Sequence, residues 1–183
     1  MLHFETIDQL KTWLASKGVD TSQWGVSGAK SVENLWAEIV AREAEIQDDP
    51  PLRLVRLVNV VIRQGDRILV EATQEFGENQ QRERGGPPAE KIKPGESPVE
   101  TALRCLQEEL RVDPSRVEIV AARSEPEPKT SDSPSYPGLR TCYLQYVVEA
   151  KVTGLPSESF WTTEAFHEDG DPVYLHQWLW KIG

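Results

Sequence analysis

Apolar residues recur at helical spacing in three places along the chain. Phe4, Ile7, Leu10, Trp13 and Leu14 share one side of a first helix, and Gly18 suits its end because glycine accepts the left-handed conformation just past a last turn. After a polar turn around Trp24-Gly25, Ser31 opens a second helix with Val32, Leu35, Trp36, Ile39 and Val40 along one side, and Asp48-Asp49-Pro50-Pro51 breaks it. In the third, Val99, Ala102, Leu103, Leu106 and Leu110 form a stripe about 100° wide. Ser97, Pro98 and Glu100 make a capping box with proline at the first helical position, which fixes where this helix starts. The same wheel puts Thr101, Arg104, Cys105, Glu108 and Glu109 on the opposite, polar side.

Between the second and third helices the pattern changes. Residues 52–63 and 67–73 are β-branched and aliphatic runs joined by Gln64-Gly65-Asp66, a hairpin connection, and residues 116–122, 139–152 and 173–180 are further strands. Two stretches are predicted as loops: residues 75–93, bent by Gly85-Gly86-Pro87-Pro88, and residues 124–138, with prolines at 126, 128, 134 and 137. Strands and helices in this order predict an α/β fold with a mixed sheet. The predicted organisation is a two-helix N-terminal extension over residues 1–50 followed by a domain over 51–183. The apolar faces of the extension read first as packing surfaces. Their alternative use is to cover a sheet edge, or to bind a second copy or another protein.

Composition narrows the function. A chain of 183 residues is long enough for a sizeable core, and no apolar run reaches the length that spans a bilayer. The start MLHFETIDQL lacks the basic and apolar segments of a signal peptide, so a cytoplasmic protein is expected. Cys105 and Cys142 imply no disulfide framework. A net charge of −10 argues against binding a nucleic-acid backbone, although a local basic cluster can still bind a small phosphorylated molecule.

The third helix holds the candidate chemistry. Glu108 and Glu109 are adjacent carboxylates, Arg104 stands one turn before Glu108, and Glu96 lies at the helix entry. Such a set can hold a hard divalent cation, which wants oxygen ligands. Pattern alone favours the plainer reading, a solvated charged face. In the preceding segment Arg82 and Arg84 could grip a diphosphate through paired hydrogen bonds, or belong to a solvated loop.

Residues 90–112 resemble the Nudix box, G-x5-E-x7-R-E-U-x-E-E-x-G-U with U a bulky aliphatic residue. Glu96, Arg104, Leu106, Glu108, Glu109 and Val112 match it. Glu90 and Arg111 stand where its glycines belong, and Cys105 where its glutamate after the arginine belongs. Pro88-Ala89-Glu90 leading to Gly95-Glu96, the strand Arg67-Ile68-Leu69-Val70-Glu71 running on to Gln74, and Ser133-Pro134-Ser135-Tyr136-Pro137-Gly138 are similar to the ADP-ribose pyrophosphatase branch. The resemblance implies a Nudix-like α/β/α sandwich and hydrolysis of a diphosphate linked to a nucleoside or similar group. It also implies Mg2+ or Mn2+ on Glu96, Glu108, Glu109 and the carbonyl of Ala89. Arg104 would orient the carboxylates, and Glu164, in a late loop, would be the general base; otherwise Glu164 is a solvent-exposed glutamate. The departures point to an altered metal shell. A thiol at 105 supplies neither charge nor a hard oxygen, Arg111 strains or reroutes the helix terminus, and Glu90 fills a position where backbone normally approaches phosphate. Two functions follow: a metal-dependent hydrolase with an atypical site, which the retained Arg104, Glu108, Glu109 and Glu96 favour, or a catalytically inactive Nudix-fold module binding a nucleotide or a protein partner.

Overall fold

A computed structural model describes the chain except Ser27 and residues 77–79 and 164–172. In chain order its elements are α1 (Ile7–Ser16), α2 (Val32–Val40), β1 (Ala44–Gln47), β2 (Leu52–Gln64), β3 (Arg67–Phe76), β4 (Gln80–Gly86), β5 (Ala89–Lys91), α3 (Pro98–Glu108), β6 (Val117–Ala122), β7 (Glu127–Asp132), β8 (Arg140–Val152), β9 (Phe160–Thr163) and β10 (Val173–Ile182). They form two compact units: residues 1–56, 93–95 and 127–145 in one, and 57–92, 96–126 and 146–183 in the other.

In the first unit the helix starts follow the sequence signals. Thr6 caps α1 by accepting from the Gln9 amide, Ser31 and Asn34 cap α2 reciprocally, and Gly18 takes φ 72° just beyond α1. β1 pairs with the start of β2, and β7 with the start of β8, both antiparallel. Phe4, Leu10, Leu14, Trp24, Leu35, Ile46, Tyr136 and Leu139 form the core. At its edge Arg53 donates to Glu38 (Nη2–Oε2 2.5 Å), Lys30 donates to the other oxygen at 3.1 Å, and the Arg53 guanidinium lies 4.9 Å above the Tyr136 ring. Burial, and then the Glu38 carboxylate, push the Tyr136 phenol up. The two buried charges are thus paired and hydrogen-bonded, the condition under which burial is tolerated.

The second unit is built on an open mixed sheet in the order β6-β8-β2-β3-β10-β9, with β4 added to β3 and β5 to β2. The β2–β3 hairpin turns at Gly65, whose φ of 64° requires a residue free of a Cβ penalty. Helix α3 buries Ala102, Cys105 and Leu106 against a core of Val58, Val60, Ile62, Leu69, Val148, Ala150 and Trp178. Burial of a leucine such as Leu106 contributes about 2 kcal/mol.

Three sequence expectations are corrected. Residues 75–93 are not a simple loop, because β4 pairs with β3 and β5 with β2. Residues 81–85 of β4 are exposed, and an exposed added strand tolerates the charges that made this segment read as loop. Residues 124–138 contain β7, whose Pro128 faces Leu144 across one ladder; proline is accepted in a strand at an edge. Thirdly, Thr101 and Cys105, expected on the solvated side of α3, are fully buried, so the helix is covered on two flanks.

Candidate active site

The entry to α3 is fixed by its capping box: the Ser97 hydroxyl accepts from the Glu100 amide at 3.2 Å, and the Ser97 amide donates to Glu100 Oε2 at 2.8 Å. The exit turns at Arg111, whose φ of 58° is left-handed, and the Val112 amide closes onto the Leu106 carbonyl at 3.0 Å. Of the two outcomes expected for arginine at this position, strain or a rerouted turn, the chain adopts the strained one.

Arg104 is the hub of one flank. Its Nε donates to Glu96 Oε1 at 2.9 Å, Nη2 to Glu96 Oε2 at 3.0 Å and to the Lys91 carbonyl at 2.7 Å, and Nη1 to Glu108 Oε2 at 3.1 Å. Glu90 stands 3.7 Å away, and the Thr101 hydroxyl also donates to Glu96. Burial opposes the guanidinium charge, but the hydrogen bond to Glu96 and the charges of Glu90 and Glu108 outweigh it and raise the pKa. The planar fork lets one side chain tie the helix entry, its exit and β5 together, which a lysine lacks the geometry to do.

Glu109 lies elsewhere. It is buried, and one ligand atom of each of Glu109, Glu71 of β3 and His176 of β10 lie within 4.8 Å of one another. His176 Nδ1 is 2.6 Å from Glu71 Oε1, and Arg84 of β4 donates from Nε to Glu71 Oε2 at 3.1 Å. Burial pushes the Glu71 carboxyl up, but the hydrogen bond from His176 and the charges of Arg84 and His176 prevail, and its pKa is lowered. The imidazole stacks on Trp178 at 5.7 Å. The Trp178 indole donates to the Thr162 hydroxyl at 2.7 Å, which in turn donates to the Glu109 carbonyl at 2.5 Å. β9, β10 and the end of α3 are therefore linked around this group.

Cys105 sits one turn before Glu109. Burial, then the Glu109, Glu90 and Glu71 carboxylates, raise its pKa well above the ordinary thiol value, so it is neutral and donates to Glu109. The donor set of two carboxylates and one imidazole fits a divalent cation, since all three are recognised metal ligands and the carboxylates supply the negative charge.

The sequence-derived residues thus divide between places. Glu96 and Glu108 engage Arg104, while Glu109 joins Glu71 and His176. Arg84 is on Glu71, Arg82 donates to Gln74, and Ala89 faces Asn59 across the β5–β2 ladder. Glu164 lies outside the described residues. Sequence reasoning missed Glu71 and His176. The signal was there: a carboxylate directly after Leu69-Val70 and a histidine two residues before Trp178 are ionisable groups in strands that otherwise read as core, and burying such groups requires partners.

These features define an α/β protein with carboxylates and an imidazole gathered at the junction of one helix with its sheet. Residues 53–169 match the NUDIX domain, and the chain belongs to that family. Among solved structures it is similar to a NUDIX hydrolase from Nitrosomonas europaea (18% identity over 68% of this chain and 70% of that one, TM-score 0.40). A NUDIX-family hydrolase from Clostridium perfringens (16%, 69% and 80%, 0.39) and a C. elegans Ap4A hydrolase binary complex (17%, 68% and 77%, 0.37) are similar as well. A search of curated proteins finds no match.

Proposed function

We propose that the protein is a divalent-metal-dependent hydrolase of diphosphate linkages in nucleoside-type compounds, with an altered metal shell. The observation that supports this best is the convergence of Glu109, from the family's helix, with Glu71 and His176 in a chain of the NUDIX family. These three residues would hold the cation, Mg2+ or Mn2+ in the family's usual chemistry. Glu96, Glu108 and the Ala89 carbonyl would be the oxygen donors for a further ion. A bound divalent cation supplies charge neutralisation on phosphate and lowers the pKa of an attacking water. The chain's own residues do the rest. Arg104 fixes the helix ends, and Arg84, already held by Glu71, offers its fork to phosphate oxygens beside Arg82. Glu164 remains the candidate general base.

The neutral thiol at 105 favours a second reading, a non-catalytic module that binds a nucleotide or a protein partner. The discriminating measurement is a screen of ADP-ribose, dinucleoside polyphosphates and nucleoside triphosphates with Mg2+ or Mn2+. Hydrolysis by the wild type, lowered about tenfold or more in Glu109→Gln, is the expected result. A folded wild type that binds these compounds and hydrolyses none would make it the module.

A further inference from the structure

We propose that the buried site selects a borderline transition-metal ion of the Zn2+ type over Mg2+, with the imidazole of His176 as a ligand. The proposal rests on the metal-dependent reading above and assigns the class of ion to its site.

The donor atoms distinguish the two classes of ion. Mg2+ demands near-ideal octahedral oxygen coordination, sheds water reluctantly and is usually bound by one or two carboxylates while keeping several waters. Here Glu71, His176 and Glu109 are 1%, 2% and 7% exposed, so an ion among them would be held chiefly by protein atoms and not by the several waters that Mg2+ keeps. One of the three is a nitrogen donor, and imidazole suits zinc and its neighbours better than magnesium. Three protein donors with remaining positions for water or substrate is also the usual composition of a catalytic zinc centre.

Two further features point the same way. The His176 ring is oriented in advance, by Glu71 on Nδ1 at 2.6 Å and by the stacked Trp178, so little order has to be imposed on it when an ion binds. Cys105 takes the place of a carboxylate one turn before Glu109, which removes both a hard oxygen and a negative charge from the neighbourhood. Loss of that oxygen weakens the site most for the ion that depends wholly on oxygen.

The test uses the full-length chain labelled with 15N-histidine. There are three histidines, so the imidazole signals are few, and His176→Gln assigns the one concerned. The chain is titrated with Zn2+ and with Mg2+, by calorimetry and by imidazole 15N chemical shift. The expected result is a Zn2+ dissociation constant at least about 100-fold below that of Mg2+, a displaced His176 resonance with Zn2+ only, and about tenfold weaker Zn2+ binding in both His176→Gln and Glu109→Gln. Equal affinity for Mg2+, an unmoved His176 resonance at saturating Zn2+, or no bound ion at all would overturn the proposal. Should either variant fail to fold, the wild-type titration decides alone. Turnover is scored separately: Zn2+ on His176 without diphosphate hydrolysis removes the enzyme reading and leaves the site, whereas hydrolysis with Mg2+ and an unmoved His176 does the reverse.

Discussion

Cys105 is one of three positions, with Glu90 and Arg111, at which the chain departs from the family pattern. The helical wheel assigned it to a solvated face; the structure buries it completely beside Glu109 and Glu71. The wheel failed because it assumes one buried stripe, and α3 has two covered flanks. Cys105→Glu therefore places a carboxylate among carboxylates, away from water. Without metal it is expected to destabilise the fold by about 2 to 4 kcal/mol, and a divalent cation is expected to recover most of that loss. Melting temperatures with and without Mn2+ measure both effects, and no loss in the metal-free variant would contradict the packing described. A gain of hydrolysis in the same variant would show that the natural chain is an inactivated enzyme. Arg111 offers a cleaner case, because the sequence alone placed it at a glycine position and the chain has φ 58° there. Arg111→Gly should raise the urea midpoint by an amount equivalent to about 0.5 to 1 kcal/mol with unchanged slope, and Arg111→Val should lower it.

Elements were legible wherever their ends carry their own chemistry. Ser97-Pro98-Glu100 specified the start of α3, and Ser31 that of α2, through side chains that satisfy specific amides. Ser97→Ala should cost about 1 kcal/mol in thermal or urea unfolding. Glu100 adds a pH dependence. Hydrogen bonds from Ser97 hold its carboxyl below the ordinary 4.5, so its contribution is complete above the unfolded value and is lost as pH falls through the folded one. Melting curves taken from about pH 6 to about pH 3 should therefore show a shallower acid-side fall for Glu100→Gln than for the wild type. β4 was not legible. Its Gln-Arg-Glu-Arg alternation has no buried face to mark a period of two, and only its pairing with β3 makes it a strand. Glu71 and His176 went unrecognised for a related reason: what joins them is β3–β10 pairing, a contact across more than a hundred residues that no local pattern encodes.

For the whole molecule, the periodicity of residues 1–50 correctly gave two helices, but their core partners lie far along the chain. Tyr136 and Leu139 are buried among Leu10, Leu14, Trp24 and Leu35, and the Trp24 indole donates to the Pro137 carbonyl at 2.9 Å. A chain lacking residues 1–50 should expose those side chains and fail to melt cooperatively, which calorimetry of the truncated protein would show; a sharp transition near that of the full chain would refute it. The two cysteines fall one in each unit, Cys105 in the second and Cys142 in the first, both buried. They are a pair of built-in clocks. In native buffer a thiol-specific reagent can modify each only as fast as its own surroundings open, so the two labelling rates time the breathing around Cys105 and around Cys142 separately, in one sample.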